Sequence, residues 1–211
     1  ISIMKHIALL TTLLLSASLQ AVEKPYDYVF FENSLMKGDY FYSQAKYTSP
    51  SWIKNARHHL PVAGSVAFTP GNSLELTYVS APGGDWYSEI QYCPVRGNDF
   101  FREPSTLSMQ VRLRESMNAA ALPNIAIRYA DSTYTQYLNL RNYLKDTRPG
   151  VWHPVSIPLE DFGLNAVNDT NIKKLAAVAL RPGTADGNEY TIYLDDIELL
   201  PASLPSVSAL N

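Results

Sequence analysis

"LSMQVRLRE", residues 107–115, alternates apolar and polar side chains along its whole length. Side chains of a β-strand point alternately to its two faces, so this pattern predicts a strand with one buried face. Similar runs occur at 26–31, 73–80, 86–92, 124–130, 134–141, 151–159, 175–182 and 190–200. Turn-forming residues (Gly, Pro, Asn and Asp) separate the runs, and the pattern holds no strong amphipathic helix. The sequence therefore predicts an all-β protein, built as an antiparallel β-sandwich or a barrel.

The composition is that of a globular protein, with 46% hydrophobic and 18% charged residues among 211. The net charge of −3 gives no sign of the clustered basic surface that nucleic-acid binding needs, so no nucleic-acid partner is expected. The chain has 14 tyrosines, 3 tryptophans and 7 phenylalanines. Such aromatic content suits a β protein, and it suits equally a surface that stacks on sugar rings.

The chain opens with the pattern of a secretory signal peptide, at residues 4–21. A short basic start, Met4 to His6, precedes an apolar run at 7–19 and a small residue, Ala21. We therefore expect a secreted or periplasmic protein with no membrane span in its mature form, because the apolar run is too short for one. The predicted divisions are upstream residues plus signal peptide (1–21), one β domain (22–200), and a linker or ragged tail (201–211).

Two adjacent carboxylates, Asp195 and Asp196, interrupt the apolar strand pattern of "YLDDIEL", residues 193–199. In a regular strand one of the two points toward the core. A buried carboxylate is costly unless it is paired or bound to a metal ion. Two interpretations stay open, a metal site or a bulge whose acids face water or pair with Lys or Arg.

Three stretches carry a resemblance to a known family. They are "FFENSLMKGDYFY" (30–42), "GVWHPVSIPLEDFG" (150–163) and "YTIYLDDIEL" (190–199). Together they resemble the galactose-binding-like jelly roll found in many carbohydrate-binding modules of secreted polysaccharide-degrading enzymes. The resemblance covers residues 26–200. It implies a jelly-roll sandwich that binds a polysaccharide or oligosaccharide without catalysis, or a structural accessory domain beside an adjoining catalytic domain.

The resemblance also implies a structural calcium ion between the first and last strands. Matched onto this chain, its carboxylate ligands are Glu32 and Asp195, with Asp196 and the backbone carbonyls of residues 33–39 as candidate additional ligands. Calcium takes six to eight oxygen ligands, and carboxylates brought together without a cation repel each other. First and last strands of a closed sandwich are often neighbours, so such a site would tie the two ends of the domain together.

The polar sides of the middle strands collect side chains suited to a hydroxyl-rich ligand. If those strands pair, they form one continuous surface of mixed hydrogen-bond donors and acceptors. Trp52 lies in a loop-like stretch and is the tryptophan most free to stack on a sugar, whereas Trp86 and Trp152 are expected in the core. The predicted binding residues are Trp52, Tyr87, Gln110, Arg112, Arg128, Tyr137, Asn139 and Arg141. A glycan, a neighbouring catalytic domain and plain solvent remain alternative occupants of this face.

Catalysis is the least favoured interpretation. Tyr137, with Arg112, Arg141 and Gln110, contains the residue types that a jelly-roll polysaccharide lyase uses. The strands lack a matching His, and Glu89 is the only obvious acid on that face, whereas glycoside hydrolysis needs a facing pair. We therefore predict a protein that is not an enzyme, and keep the lyase as an alternative.

Overall fold

The computed structural model describes residues 28–92, 104–164 and 175–201. The predicted signal peptide (4–21) and nearly all of the predicted tail (201–211) lie outside these ranges. Within them the chain forms β-strands joined by turns and three short 3₁₀ turns, at Ala119–Ala121, Leu140–Asn142 and Leu159–Phe162. No helix in the described ranges has the length and hydropathy that crossing a membrane requires.

The strands form two antiparallel sheets that pack face to face, as the alternating pattern predicts. The seven-stranded sheet has the order β10-β7-β12-β5-β3, with β1 paired to β12 and β4 paired to β5. Its members are β1 (Tyr28–Phe31), β3 (Trp52–Ile53), β4 (Val62–Ala63), β5 (Ser73–Val79), β7 (Pro104–Leu113), β10 (Trp152–Pro158) and β12 (Glu189–Pro201). The five-stranded sheet has the order β2-β6-β11-β8-β9. Its members are β2 (Ser43–Thr48), β6 (Asp85–Gln91), β8 (Asn124–Tyr129), β9 (Leu138–Asn139) and β11 (Leu175–Arg181).

The hydrophobic core lies between the sheets and is built from the apolar side of each strand. The four apolar residues of the alternating run in β7 are each at most 1% exposed: Leu107, Met109, Val111 and Leu113. Trp86 is fully buried, with its ring centroid 4.8 Å from that of Tyr78, and its indole N–H donates to Ser80 Oγ at 2.9 Å. The core prediction for Trp86 is therefore confirmed, and its polar N–H is satisfied.

Two local predictions are wrong. Trp152 is half-buried on the outer side of β10, because His153, Val155 and Ile157 take the inward positions of that strand. The run 134–141 forms only the two-residue strand β9, because the Asn139 side chain accepts a hydrogen bond from the Arg141 N–H and starts a 3₁₀ turn. A side-chain cap of this kind competes with strand pairing.

The first and last described strands are neighbours. β1 runs antiparallel to β12, with Phe31 opposite Ile197. A bulge interrupts β12 between Asp195 and Glu198, and Asp196 within it has a left-handed φ of +48°. Asp195 keeps its regular outward position opposite Gln110, and the bulge adds the extra residue that returns Ile197 and Leu199 to the core. Glu32, the residue after β1, is thereby placed next to the bulge in the strand register.

Candidate functional site

The outer face of the five-stranded sheet carries a group of aromatic and charged side chains. On β6, Trp86, Ser88 and Ile90 are buried toward the core, so Asp85 and Glu89 lie on the opposite side. Tyr87 shares that outer side. The central strand β11 contributes small residues to this outer side, so few atoms project from the middle of the sheet. These are Ala177 and Ala179, beside Ala126 of β8.

A buried ion pair forms the base of this group. The Glu89 side chain is 3% exposed, and its Oε1 lies 2.7 Å from Arg128 Nε. The Arg128 N–H does not point directly at this oxygen, so the contact is an ion pair without a linear hydrogen bond. The Tyr134 hydroxyl donates to the same carboxylate at 3.0 Å. Glu89 is thus compensated in charge, and it fixes Arg128 and Tyr134 in place.

Above this base lies a strip of tyrosine rings around Arg181. The Arg181 guanidinium carbon is 5.6 Å from the centre of the Tyr87 ring and 5.7 Å from that of Tyr137. Its Nε donates to the Tyr137 hydroxyl at 3.1 Å, and its Nη1 lies 3.4 Å from Asp85 Oδ2. The Tyr134 and Tyr137 rings are stacked at 6.1 Å, and each residue is more than one-third exposed.

Two phenol groups of this strip, those of Tyr87 and Tyr137, stay protonated at neutral pH. Burial raises the pKa of Tyr87 far above its usual value, and its hydrogen bond to Glu89 raises it further. Burial also raises the pKa of Tyr137, although the nearby Arg181 charge opposes that shift. Both hydroxyls therefore act as neutral hydrogen-bonding groups rather than as bases. This disfavours the alternative of a lyase with Tyr137 as its base.

An open depression of about 290 Å³ extends the strip toward the end of the sheet. It lies between β2 and β6 and is lined by Lys46, Tyr47, Thr48, Asp85, Trp86 and Tyr87. Tyr47 is 53% exposed there. The strip and the depression together offer ring faces, a cation and a carboxylate on one continuous surface.

The predicted binding residues are divided by the sheet topology. Tyr87, Arg128 and Tyr137 come together on the five-stranded sheet. Gln110 and Arg112 lie on β7 of the other sheet, so the expected single surface does not form. The reason is that β7 pairs with β10 and β12 rather than with β6 or β8.

The remaining predicted residues lie outside the strip. Trp52 is half-buried on β3, at the edge of the seven-stranded sheet. The Asn139 amide donates to Leu122 O and to Asn124 Oδ1, which gives it a local structural role. Arg141 is exposed on the 3₁₀ turn that follows.

Sequence reasoning missed Asp85, Tyr134 and Arg181. Arg181 was open to prediction, because positions 177, 179 and 181 of "LAAVALR" share one face of a strand. Tyr134 was not, because the segment that carries it is not a regular strand.

The acid pair of β12 is resolved in an unexpected way. Asp195 is fully buried, and its Oδ2 accepts hydrogen bonds from the backbone N–H groups of Phe68 at 2.8 Å and Thr69 at 3.2 Å. Its Oδ1 accepts from the Asp196 N–H at 2.9 Å. Burial raises the pKa of the Asp195 carboxyl to about 6, against the effect of these hydrogen bonds. Asp195 therefore anchors the loop that precedes β5.

Two side-chain oxygens beside this anchor are buried without a hydrogen-bond partner: Asp196 Oδ1 and Asn33 Oδ1. The other Asp196 oxygen accepts from Thr69 Oγ1 at 2.7 Å. The Asn33 amide lies so close to Gly71 that a Cβ added there would meet its Oδ1 at 2.6 Å. Both free oxygens thus flank the loop that Asp195 anchors. The described ranges hold no group of three Asp, Glu, His or Cys side chains arranged to bind a metal.

Comparison with known proteins gives a consistent result. The family model described as carbohydrate binding domain 30 matches residues 27–200. The family 30 carbohydrate-binding module of a cellulosomal cellulase from Clostridium thermocellum is similar in structure, with a TM-score of 0.62 and 18% identity, over 84% of this chain and 99% of that one. A second family 30 module gives a TM-score of 0.58 and 19% identity, over 83% and 98% of the two chains.

A family 11 carbohydrate-binding module from Clostridium thermocellum, solved with a β-1,3-1,4-mixed-linked tetrasaccharide, gives a TM-score of 0.52 and 13% identity, over 77% of this chain and 91% of that one. The shared β-sandwich confirms the predicted jelly-roll fold. The family match also supports a non-catalytic module, as predicted. Because the family model spans most of its length, the chain belongs to the carbohydrate binding domain 30 family.

Proposed function

We propose that this carbohydrate-binding module holds a β-glucan chain on the outer face of its five-stranded sheet. The observation that carries the proposal is the strip in which Arg181 lies between the rings of Tyr87 and Tyr137. Support for the ligand class comes from the similar family 11 module, whose structure contains a mixed-linked β-glucan tetrasaccharide.

Each group in the strip has a chemical role in such binding. The exposed parts of the Tyr134 and Tyr137 rings offer flat apolar surface to the C–H face of a pyranose ring. Arg181 donates hydrogen bonds to sugar hydroxyls, and Asp85 accepts them. Arg128 and Glu89 act beneath the surface and position Tyr134. No bond is made or broken, so affinity depends on how well these groups are held in place before the ligand arrives.

Affinity electrophoresis in gels containing mixed-linked β-glucan tests this proposal. The unmodified module is expected to be retarded, and Tyr137→Ala to lose about tenfold in affinity, which corresponds to about 1.4 kcal/mol. Phe41→Ala is the matched control, since this ring is 63% exposed and lies outside the strip. Equal retardation of Tyr137→Ala and the unmodified module would reject the strip as the binding face. No retardation in any of a panel of polysaccharides would favour the structural accessory domain instead.

We further propose a structural calcium ion at the junction of β1, the β12 bulge and the loop before β5. The support is chemical, because Asp196 Oδ1 and Asn33 Oδ1 are unpaired oxygens of the type that calcium takes as ligands. Glu32 would complete the set from the end of β1. Asp195 would hold the loop beside the ion. Bound calcium would compensate the charge of the bulge and join the two ends of the domain.

Export and attachment to a catalytic domain are also proposed. The signal-peptide pattern at residues 4–21 supports export. The similar family 30 module belongs to a cellulosomal cellulase, which supports an adjoining catalytic domain. N-terminal sequencing of the protein recovered outside the cytoplasm tests the first proposal, since export predicts a mature chain that begins after Ala21. The reading frame downstream of Asn211 tests the second.

A further inference from the structure

A second row of aromatic and cationic side chains crosses the outer face of the seven-stranded sheet. Trp152 of β10 lies opposite Arg112 of β7, and Arg112 lies opposite Tyr193 of β12. All three point outward, because Val111, Leu194 and the other residues that alternate with them are buried in the core. The three side chains therefore form one straight row across three neighbouring strands.

The polar ends of two side chains in this row have no partner among the residues that the structure describes. In the parts of the chain that the structure describes, neither the Arg112 guanidinium nor the Tyr193 hydroxyl has a hydrogen bond or an ion pair. Arg128 and Arg181, by contrast, pair with Glu89 and Asp85 on the opposite face. Arg112 and Tyr193 are both half-buried, so they keep a fixed direction while their polar ends stay available.

A third ring lies beside the row and packs against Trp152. Phe68 is 49% exposed, and its ring meets Trp152 edge to face with centroids 6.0 Å apart. The Phe68 N–H is held by the buried carboxylate of Asp195 at 2.8 Å. The carboxylate inside β12 thus fixes the loop so that Phe68 reaches the row.

The spacing of the row suits a sugar chain. Neighbouring strands lie about 4.8 Å apart, so the backbones that carry Trp152 and Tyr193 are about 10 Å apart, with Arg112 between them. That distance is close to the length of a disaccharide repeat in an extended glucan. Two rings at this separation can stack on alternate sugars while Arg112 donates to the hydroxyls of the sugar between them.

The surroundings of the row disfavour a protein partner. The next outward positions along β7 and β10 are Gln110 opposite Pro154, then Ser108 opposite Ser156. A stable protein interface has an apolar centre with a polar rim. Here a single aromatic row lies on a polar sheet, which suits a hydroxyl-rich ligand better than a packed domain.

We propose that Trp152, Arg112 and Tyr193 form a second glycan-binding surface, on the face opposite the tyrosine strip. It rests on the family assignment and not on the strip itself, so either surface can fail without the other. The two sheets of a sandwich face in opposite directions, and a module with both surfaces binds two polysaccharide chains at once.

Isothermal titration with cellohexaose and with a mixed-linked β-glucan hexasaccharide tests the proposal. The unmodified module is expected to bind two oligosaccharides. Arg112→Gln and Tyr193→Ala are each expected to weaken one of the two events about tenfold and leave the other unchanged. Ser156→Ala, on the same face but outside the row, is the matched control and is expected to keep both events. Thermal melts of all variants separate loss of binding from loss of folding.

The combination of variants makes the outcome decisive. Tyr87→Ala with Tyr137→Ala removes the strip, and binding that survives in this protein and disappears on adding Arg112→Gln supports the row. A single binding event that Arg112→Gln and Tyr193→Ala both leave unchanged overturns the proposal, and so does a module that binds neither oligosaccharide. In the first of these cases the row is free for contact with a neighbouring protein domain.

Discussion

At the scale of single residues, Asp195 is the least expected part of the molecule. A carboxylate within an apolar strand suggested a metal ligand, and the structure uses it as an anchor for three backbone N–H groups. The signal in the sequence was genuine, since a buried acid must have partners. The partners themselves could not be predicted from the sequence. Nearly every residue has a backbone N–H group, so residue type does not show which N–H groups of a distant loop will bind the carboxylate.

Because Asp195 is buried, its contribution to the free energy of unfolding depends on pH. Its carboxyl has a pKa of about 6 in the folded protein and 3.8 in the unfolded reference. The folded state therefore binds more protons between these values, so the contribution of Asp195 is most favourable below pH 4 and is lost as the pH rises through 6. The total change is about 3 kcal/mol.

Urea unfolding of chelator-treated protein at pH 4.5 and pH 7.5 measures this contribution against Asp195→Asn, which cannot titrate. The unmodified protein is expected to lose stability relative to the variant as the pH rises. A difference between the two proteins that stays constant across this range would contradict the raised pKa.

The Glu89–Arg128 ion pair gives a second residue-scale prediction. The two side chains are 3% and 16% exposed, so Glu89→Gln leaves a largely buried guanidinium without its counter-charge. We expect a loss of about 3–5 kcal/mol in the free energy of unfolding. Lys54→Ala breaks the more exposed Lys54–Glu75 pair and is expected to cost less than about 1 kcal/mol. If urea unfolding gave the same loss of unfolding free energy in both variants, burial of the Glu89–Arg128 pair would not add to its contribution to stability.

At the scale of elements, alternation within a strand was predictable and the neighbours of that strand were not. The pattern at 107–115 correctly assigned inward and outward positions along β7. It held no information on whether β7 lies beside β6 or beside β12, because the contacts of β7 with β12 join residues 79 to 97 positions apart. That is why Arg112 and Tyr87 were expected on one surface and lie on opposite faces of the sandwich.

Adjacent positions on β7 give a prediction at this scale. Leu113→Ala removes a fully buried side chain and is expected to cost about 2–5 kcal/mol of unfolding free energy. Arg112→Gln changes an outward side chain with no partner among the described residues and is expected to change stability by less than about 0.5 kcal/mol. Urea unfolding of both proteins checks the pair. A large loss in Arg112→Gln would mean that Arg112 supports the fold rather than a ligand.

At the scale of the whole molecule, pairing of β1 with β12 brings the two ends of the domain together. The single cysteine cannot form an internal disulfide, and the calcium ion proposed above would join these ends more firmly. The seam already has backbone pairing from Tyr28 to Phe31, and the two unpaired oxygens lie just beyond it. An ion bound there would act on the global unfolding of the domain, because unfolding separates its ligands.

Calcium is therefore expected to raise the melting temperature of chelator-treated protein. A ligand present at about a hundred times its dissociation constant adds about 2.7 kcal/mol to the free energy of unfolding. Asp196→Asn removes the carboxylate with the unpaired oxygen and is expected to abolish most of this increase. Glu160→Gln, an equal loss of charge at an exposed position, is expected to keep it. Differential scanning calorimetry with and without Ca²⁺ measures this effect. An unchanged melting temperature would contradict a calcium site between β1 and the β12 bulge, and Asp195 would then act there only through its hydrogen bonds to the backbone.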